Sequence, residues 1–401
     1  MRPLMALLAC LSLATLPAAR AQTTQTPLKI GVLNDQSGIY ADLSGPGSVL
    51  AARMAAEDFG GKALGRPIEI VVADHQNKPD IGAALAAQWY DRDGVDLVID
   101  VPVSSVALAV QEVARTRHKI VIFSAAGSSD LTGKACSPTG FHWTFDTVAL
   151  AKGTAGAVVK AGGDTWFFMT ADYAFGYAME ADARALVIAA GGKVVGGVRV
   201  PMSTADMSSY LLQAKGSGAK IIGLANAGGD LINSIKQASE FGIVAGGQKL
   251  AGLLVFISDI HSLGLQIAQG LFLTESFYWD QDDATRAFSA RFVARSGGRE
   301  PTMVQAGVYS GVTHYLKAVT AAQSTDGPIV AARMREIPVT DFMTHGARIR
   351  ADGRVLRDFY LFEVKSPAES KGPWDYYKPI RTIPAEEAVR PEAEGGCNLN
   401  R

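Results

Sequence analysis

The sequence predicts an α/β fold with two lobes, each built on a doubly wound parallel sheet. Short apolar runs alternate with stretches whose apolar residues recur at helical spacing, which is typical of βα units and a parallel sheet. This alternation restarts after Asp146, so it occurs twice along the chain. The chain has 401 residues, of which 48% are hydrophobic. A chain of this length and composition can bury two separate cores.

The first series of elements comes before Asp146. Its predicted strands are 28–34, 67–73, 95–101 and 119–124. The helices predicted between these strands are 47–59, 81–90 and 104–116. Continuous apolar strands of this kind are expected where helices cover both faces of a sheet.

The second series follows directly and has a similar length. Its predicted strands are 165–169, 194–200, 220–225 and 250–257. The predicted helices are 150–161, 177–190, 207–215 and 231–241. Gly191 and Gly192 follow the second of these helices, as glycine commonly does at a helix end.

The remaining elements are too few for a third lobe. They are a strand at 270–279, helices at 284–295, 304–323 and 330–335, and a hairpin that pairs 347–350 with 358–364. The dipeptide Asp352-Gly353 is a strong hairpin signal. The simplest placement adds the helices to the first lobe and the hairpin to the second.

This placement makes the chain cross between the lobes three times, which predicts a three-stranded hinge and a cleft that opens and closes. The first lobe is then 22–147 with 276–340, and the second is 148–275 with 341–365. We expect the segment 366–401, rich in Pro, Glu and Lys, to lie across both lobes as a surface coil.

Residues 1–21 are typical of a cleavable secretory signal peptide. They begin with Arg2, continue with an apolar run and end in Ala19-Arg20-Ala21. We therefore expect a periplasmic protein. Cys10 could alternatively mark a lipidation site. Beyond this segment no apolar stretch is long enough to span a bilayer, so membrane insertion is not expected.

Charge and cysteine content narrow the function further. The formal net charge is −1, with 38 basic and 39 acidic residues, so the chain lacks the basic excess of a nucleic-acid-binding protein. Removal of the signal would leave Cys136 and Cys397, and an even count in an exported chain favours a disulfide. Two free thiols are the alternative. No cysteine or histidine spacing predicts a metal site, and no cofactor is expected.

Candidate binding residues lie where predicted strands end and helices begin, because ligands of parallel α/β lobes bind there. In the first lobe these positions carry hydroxyls, small residues and backbone amides, which suit a carboxylate. They are Tyr40, Ser104, Ser105, Ala126, Gly127 and Ser128. The second lobe offers aromatic and polar side chains, which suit an apolar or aromatic group. They are Asp172, Tyr173, Phe175, Asn226, Ala227, Asp230, Asp259 and Phe277.

Each candidate also has a purely structural interpretation. The serine pairs could be helix N-caps, the aspartates could cap helices or stabilise turns, and the aromatic rings could pack against the hinge. Catalytic motifs are missing: the chain has no GxSxG elbow and no GxxxxGK[ST] phosphate loop. We therefore do not expect an enzyme. An exported hydrolase using His75 or His261 beside an aspartate is the alternative.

Five segments give the chain a resemblance to a known family. They are LKIGVLNDQSGIYADLSGPG at the start, Ser104-Ser105 before a helix, FSAAGSSDLT, TADYAFGYAME and GLFLTESFYWD. In order and spacing they resemble the solute-binding proteins of ABC importers, of the branched-chain amino acid (Leu/Ile/Val) type. The resemblance covers nearly all of 28–365. It implies a type I periplasmic-binding fold that closes on a small carboxylate ligand and delivers it to a membrane permease.

The resemblance also assigns roles to residues. Ser104 and Ser105 match the first-lobe hydroxyl site, and Ala126 and Ser128 match the segment that binds the ligand carboxylate. Tyr173 and Phe175 match the aromatic wall of the second lobe.

The family's amino-acid binders hold the ligand ammonium with a second-lobe carboxylate, which does not align securely here. Asp230, Asp259 and Glu275 are the candidates. The segment around 100–105, DYAFGYAME and the tail from Trp374 are similar to a subgroup that binds aromatic or other hydrophobic carboxylates. The ligand class therefore stays open between amino acids and amine-free acids. We expect a monomeric import receptor, with a ligand sensor as the alternative.

Overall fold

The computed structural model describes residues 26–399. The predicted signal peptide and Cys10 lie outside these described residues. Within residues 26–399, every helix is too short or too polar to cross a membrane.

The first sheet contains six strands and has β1 in its interior. The strands are β1 (Leu28–Asn34), β2 (Lys62–Ala63), β3 (Arg66–Asp74), β4 (Val95–Asp100), β5 (Ile120–Phe123) and β6 (Gly140–His142). Their order is β2-β3-β1-β4-β5-β6, and all neighbours except β2 and β3 pair in parallel. Because β4 and β5 are neighbours, the loops that follow them emerge side by side at the carboxyl edge.

Helices cover both faces of this sheet. The early ones are α1 (Gly45–Asp58), α2 (Pro79–Gln88), which continues as a π-helical turn to Asp93, and α3 (Ser104–Thr116). Three later helices, α11 (Asp283–Val293), α12 (Met303–Ala322) and α13 (Gly327–Glu336), return to this part of the molecule. α12 packs along α1, and its first turn is closed by a capping box between Thr302 and Gln305. α12 also contacts β4, and α13 contacts β5.

The second parallel sheet has the strand order β10-β9-β7-β8. Its strands are β7 (Thr165–Ala171), β8 (Lys193–Val200), β9 (Ile221–Ala225) and β10 (Lys249–Gly252). The helices of this region are α4 (Thr147–Leu150), α5 (Gly156–Lys160), α6 (Ala174–Ala189), α7 (Ser208–Gly216), α8 (Gly228–Glu240), α9 (Ile257–Leu263) and α10 (Leu265–Ala268), with a π-helical turn between α4 and α5. β7 and β9 are neighbours, so the loops that begin α6 and α8 also lie side by side.

One prediction about the last part of the chain is wrong. β14 (Phe359–Val364) does not pair with 347–350. It lies between β11 (Phe272–Glu275) and β15 (Tyr377–Ile383) and is antiparallel to both. The short hairpin that does form pairs β12 (Val339–Asp341) with β13 (Thr344–Ala347). The Asp352-Gly353 turn exists, closed by a hydrogen bond from Gly353 N to Arg350 O, but it ends in a single bridge between Ile349 and Val355.

Two further expectations also need correction. The strand predicted at 250–257 is shorter in the structure: β10 ends at Gly252, and Ile257 already begins α9. The tail is not a coil throughout, since β15 adds a third strand to the sheet and α14 (Ala385–Ala388) follows it. Beyond α14 the tail reaches the first sheet's loops, where Cys397 forms the predicted disulfide with Cys136. This bridge joins residues 261 positions apart.

Candidate functional site

Ser104 begins α3 and lies buried beside the loop that follows β5. Its Oγ accepts hydrogen bonds from the amides of Gly127 at 3.2 Å and Ser128 at 3.1 Å. A serine hydroxyl has two acceptor lone pairs and one donor proton. Both acceptor sites are thus in use, and in residues 26–399 no acceptor for the proton is found. Ser104 therefore presents a hydrogen-bond donor whose position is fixed by two amides; these three groups are called the hydroxyl anchor below.

A strained turn delivers Ser104 to this position. Asp100 and Val101 both have positive φ angles, 91° and 53°, and this conformation costs energy, especially in a β-branched residue. The buried Asp100 carboxylate holds the turn by accepting hydrogen bonds from Ser44 at 2.6 Å, Ser124 at 2.8 Å and Asn34 at 2.9 Å. Burial raises the pKa of Asp100 even though these groups donate to it. Strain of this kind persists where surrounding structure over-determines it, as commonly happens in binding sites.

The loop that supplies the two amides is held from behind. His142 lies at the end of β6, and its Nε2 is 2.6 Å from the carbonyl oxygen of Ala126. Burial lowers the pKa of His142 to about 4, so the ring is neutral at pH 7 and its Nε2–H donates to that carbonyl. The Gly127 carbonyl accepts from Thr147 N at 2.8 Å. With the two carbonyls fixed, the amides can point only toward Ser104.

Ser128 has the capping role that is the structural alternative for the predicted serines. Ser128 Oγ accepts a 3.4 Å hydrogen bond from Asp130 N and so caps a short 3₁₀ helix, Ser129–Thr132. Ser105 is half-buried, on the turn of α3 next to Ser104. The predicted first-lobe residues are therefore brought together, with the Ser128 amide rather than its hydroxyl completing the anchor.

Aromatic residues of the second lobe meet this loop directly. Phe175 is buried in the first turn of α6 and packs against Gly127, where an added Cβ would come within 2.9 Å of the ring. Tyr173 immediately precedes α6, and its ring centroid is 6.1 Å from that of Phe175. The Tyr173 hydroxyl lies 2.7 Å from the hydroxyl of Tyr40, which comes from the β1–α1 loop. Two predicted aromatic residues therefore face the predicted first-lobe residues across the lobe boundary.

A buried carboxylate completes this second group. Asp230 lies in the first turn of α8; its Oδ2 accepts from Ser203 N at 3.0 Å, and its buried Oδ1 has no hydrogen-bond partner in residues 26–399. Burial raises the pKa of Asp230 to about 6. Its charge acts on both Tyr40 and Tyr173, whose pKa values are raised first by burial and also by Asp230. These three residues form what is called the phenol–carboxylate cluster below.

Asn226 and Ala227 lie beside the cluster. The Asn226 amide nitrogen donates to Ser234 Oγ at 3.0 Å, while its buried Oδ1, like that of Asp230, has no hydrogen-bond partner in the described chain. Ala227 is the N-cap residue of α8. Unpaired buried oxygens are costly, so both are suited to a ligand that donates hydrogen bonds.

The two lobes also touch through their backbones. Gly229 N donates to Ile39 O at 3.0 Å, which joins the start of α8 to the β1–α1 loop. Gly228 has a φ of +56°, and a Cβ there would lie 2.5 Å from the same Ile39 oxygen. Only glycine combines this conformation with this close approach. The lobes therefore meet at the edge of the cluster.

The structure places four other candidates elsewhere. Asp172 is exposed and accepts from the Tyr177 hydroxyl. The Phe277 ring packs edge-on against Phe288 and Phe342, within the core below α11 and α12. Asp259 accepts from Phe256 N at 2.9 Å at the start of α9, and Glu275 accepts from the Tyr377 hydroxyl at 2.9 Å. Of the three candidate ammonium partners, Asp230 is the one whose charge raises the pKa values of both Tyr40 and Tyr173.

A cavity of about 790 Å3 lies on the flank of this site, between α1, α9, α11 and the start of α12. Its lining combines opposite charges, including Asp42, Arg53 and Arg299, with the stacked rings of His261 and Trp374. The hydroxyl anchor and the phenol–carboxylate cluster do not line it. Within residues 26–399, no group of three or more His, Cys, Asp or Glu side chains is placed so that it could hold a metal ion.

Several contributing residues were not predicted. Asp182 lies on α6, and its Oδ2 accepts from Thr147 Oγ1 at 2.6 Å and from Ser129 Oγ at 3.1 Å. Asp182 thus connects the second lobe to the loop of the hydroxyl anchor. A single acidic residue in a helix carries no sequence signal for such a contact. Asp100 could have been suspected, because it is an acidic residue at the carboxyl end of a fully buried strand, next to the predicted binding loop.

The molecule has two parallel-sheet lobes, with a polar anchor on one side of their boundary and a buried aromatic and acidic cluster on the other. This arrangement defines a class of protein that encloses a small ligand between its lobes. A family model described as periplasmic binding protein matches residues 27–373. The chain belongs to this periplasmic binding protein family.

Comparisons with individual proteins agree. A crystal structure of a periplasmic binding protein from Burkholderia mallei is 51% identical, with a TM-score of 0.91 over 94% of this chain and 99% of that chain. A branched chain amino acid ABC transporter periplasmic ligand-binding protein from Burkholderia xenovorans LB400 is 42% identical, with a TM-score of 0.82 over 93% of this chain and 100% of that one. Leu/Ile/Val-binding protein homolog 6 of Brucella melitensis is 25% identical over 94% of this chain and 96% of its own length.

Proposed function

We propose that this protein is the periplasmic receptor of a branched-chain amino acid-type ABC importer and that it captures a small carboxylate by closing its lobes. One observation carries this proposal: Phe175 of the second lobe packs on Gly127 of the hydroxyl anchor, and the Tyr40 and Tyr173 hydroxyls lie 2.7 Å apart across the lobe boundary. The 42% identical Burkholderia xenovorans protein, which carries the name of such a transporter component, supports it.

The carboxylate of the ligand belongs at the hydroxyl anchor. Ser104 has only a donor proton to offer, because the Gly127 and Ser128 amides occupy its acceptor sites. Amides that donate to the hydroxyl oxygen polarise its O–H bond and strengthen it as a donor. An anion accepts such a bond, and a charge-assisted hydrogen bond is about twice as strong as a neutral one.

The opposite end of the ligand meets the second lobe. The unpaired Asp230 Oδ1 is ionised at pH 7, because burial raises its pKa only to about 6. A ligand ammonium would supply the missing donor and the opposite charge, so we propose an amino acid with an apolar side chain. The rings of Tyr173 and Phe175 would cover that side chain.

An amine-free aromatic acid is the second candidate ligand, and a specific observation favours it. Two tyrosines and Phe175 lie within ring contact or hydrogen-bond distance of one another, which is more aromatic surface than a short aliphatic side chain needs. A 4-hydroxybenzoate molecule could place its carboxylate on Ser104 and donate its phenol proton to Asp230. Benzoate has no such donor and would leave Asp230 unpaired.

The proposal has three further parts. Residues 1–21 act as a cleavable signal peptide for export, the mature protein is a monomer, and it delivers its ligand to a membrane permease. No covalent chemistry is assigned to the site. A sensor that reports the ligand without importing it would need the same cleft. Loss of uptake of the bound ligand in cells that lack this chain would favour import over sensing.

A thermal-shift panel tests the proposal. Mature protein is titrated with leucine, valine, benzoate, 4-hydroxybenzoate and phenylacetate, because a ligand that binds only the folded state raises its melting temperature by mass action. We expect leucine and valine to raise it most, and benzoate, which leaves Asp230 without a donor, to raise it least. Leucinamide is the matched control, since it keeps the ammonium and lacks the carboxylate. A panel in which every compound leaves the melting temperature unchanged would contradict the proposed ligand class.

A further inference from the structure

The tail beyond β15 runs along the back of the loop that supplies the hydroxyl anchor. At the end of α14, the carbonyls of Glu387 and of Val389, the residue after the helix, accept hydrogen bonds from Lys152 Nζ at 3.0 and 2.8 Å. Lys152 belongs to the π-helical turn that follows α4. This contact ties the tail to the segment where the chain enters the second lobe. The chain then turns toward the first lobe, and residues 390–397 are called the strap below.

Arg390 joins the strap to the loop. Its Nη2 donates to the carbonyl of Ser129 at 3.1 Å, one residue beyond the Ser128 amide of the anchor. The Arg390 carbonyl in turn accepts from Arg350 Nη1 at 2.6 Å, and Arg350 is paired with Asp352. Arg390 is therefore held at its backbone while its guanidinium holds the loop.

The same guanidinium faces two carboxylates at the lobe boundary. Burial raises the pKa of Asp182, and the positive charge of Arg390 partly offsets that rise. The same charge adds a smaller effect to that of Arg354 in lowering the pKa of Asp146. Asp182 also accepts from the Ser129 hydroxyl, so both lobes and the strap meet at this one residue. A shift of Ser129 would move the Ser128 amide with it.

The strap packs closely against the loop and is bonded to the chain near its end by a disulfide. A Cβ at Gly133 would lie 2.8 Å from both Arg390 Nη2 and the Gly395 carbonyl, so the two segments are in direct contact. Two residues beyond Gly395, Cys397 is bonded to Cys136, just after the loop's 3₁₀ helix. The disulfide thus prevents the strap from leaving the loop.

We propose that Arg390 is a positioning residue for the ligand-binding loop and that the Cys136–Cys397 disulfide keeps it in place, so that ligand affinity depends on the oxidised state of the protein. This inference rests on the proposed function, because it takes the hydroxyl anchor as the ligand's carboxylate site. It assigns the tail a role in binding that is separate from its contribution to folding.

The test compares Arg390→Met, Arg390→Lys and Cys136→Ser/Cys397→Ser with the wild type, oxidised and after reduction. Leucine and 4-hydroxybenzoate affinities are measured by calorimetry well below each variant's melting temperature. We expect Arg390→Met, the double serine variant and reduction each to weaken binding about tenfold, the cost of losing one charge-assisted hydrogen bond. Arg390→Lys should recover part of the loss. Arg390→Met added to the double serine variant should weaken binding no further, because both changes release the same contact.

The matched control is Arg381→Met. Arg381 also lies in the tail and pairs with Glu387, but its contact is exposed and away from the loop, so affinity should not change. Equal affinity of Arg390→Met and wild type would overturn the proposal. A loss in Arg381→Met as large as that in Arg390→Met would overturn it too, since the effect would then be general to the tail.

A second measurement keeps the inference independent of the ligand. Hydrogen exchange of the ligand-free protein is followed in the peptide 124–136. We expect faster exchange in Arg390→Met and in the reduced protein, and unchanged exchange in Arg381→Met. Unchanged exchange in Arg390→Met would overturn the positioning role. Failure of wild type to bind either ligand would count against the proposed function and leave this result standing.

Discussion

The two sides of the candidate site satisfy their polar groups in opposite ways. At the hydroxyl anchor every acceptor and amide is paired within the protein, and one donor proton is left for a ligand. In the phenol–carboxylate cluster the buried Asp230 Oδ1 has no hydrogen-bond partner among residues 26–399, and the same holds for Asn226 Oδ1 beside it. The first side is therefore complete before a ligand arrives, whereas the second side is completed by one.

This difference separates affinity from selectivity. A preformed donor can hydrogen-bond to any carboxylate. The anchor should therefore contribute similarly to the affinity for every acid that the protein binds. A buried acceptor without a donor penalises each ligand that fails to supply one, which makes it a selective element. Variants on the two sides should therefore differ in whether their effects depend on the ligand.

The largest expected effect is from Asp230→Asn. Loss of the charge removes the partner proposed for a ligand ammonium, and we expect leucine affinity to fall about 100-fold, which corresponds to about 3 kcal/mol. Benzoate affinity, measured alongside by calorimetry, should stay equal or rise. Asp172→Asn is the matched control, since that aspartate is exposed and bonded to Tyr177. A parallel loss for leucine and benzoate would remove the distinction between the two sides.

Ser104→Ala should have the next largest effect and should not discriminate. The variant deletes a donor to a charged group, a bond with a net contribution of about 1.5–3 kcal/mol, so affinity should fall about 10- to 100-fold for each carboxylate that binds. The melting temperature should fall as well, because two buried amides lose their acceptor. Ser105→Ala is the comparison, as no amide fixes that hydroxyl. An equal loss in Ser105→Ala would show that the two-amide anchor is not the relevant feature.

These two predictions depend on how much of the site follows from the sequence. β1 and α3 have the bounds that the apolar pattern predicts, because a buried parallel strand and a helix with an apolar face leave clear local signals. The meeting of Ser104 with Gly127 follows from the same pattern, since loops after neighbouring strands share one edge of the sheet.

The remaining features depend on contacts between distant segments. β14 pairs with β11, far back in the chain, so a local turn signal at Asp352-Gly353 could not identify its partner. Asp182 contacts Ser129 only because the lobes pack together. β15 pairs with the preceding strand β14 across a connection of 12 residues (365–376), which is too long to give a tight-turn signal.

The pH dependence of binding sharpens the comparison. The pKa of Asp230 in the folded protein is about 6, above the ordinary 3.8. Between pH 3.8 and 6 the folded protein therefore binds a proton that the unfolded chain has lost. As the pH rises through that range, the contribution of this carboxyl to the free energy of unfolding falls. Leucine needs the ionised form. Its affinity should therefore rise about tenfold per pH unit up to about pH 6 and level off above it. Calorimetry between pH 4.5 and 8 measures this, and the slope should be absent in Asp230→Asn.

Tyr40→Phe should have the smallest effect. It removes one of the two hydroxyls that lie 2.7 Å apart across the lobe boundary and leaves the ring in place. A neutral hydrogen bond contributes about 0.5–1.5 kcal/mol, so affinity should fall about three- to tenfold. Because that bond joins the two lobes, the loss should appear mainly as faster ligand release in stopped-flow experiments. Tyr177→Phe, which removes an exposed hydroxyl within the second lobe, should leave the release rate unchanged. A slower association rate with unchanged release would instead mean that Tyr40 acts before the lobes close.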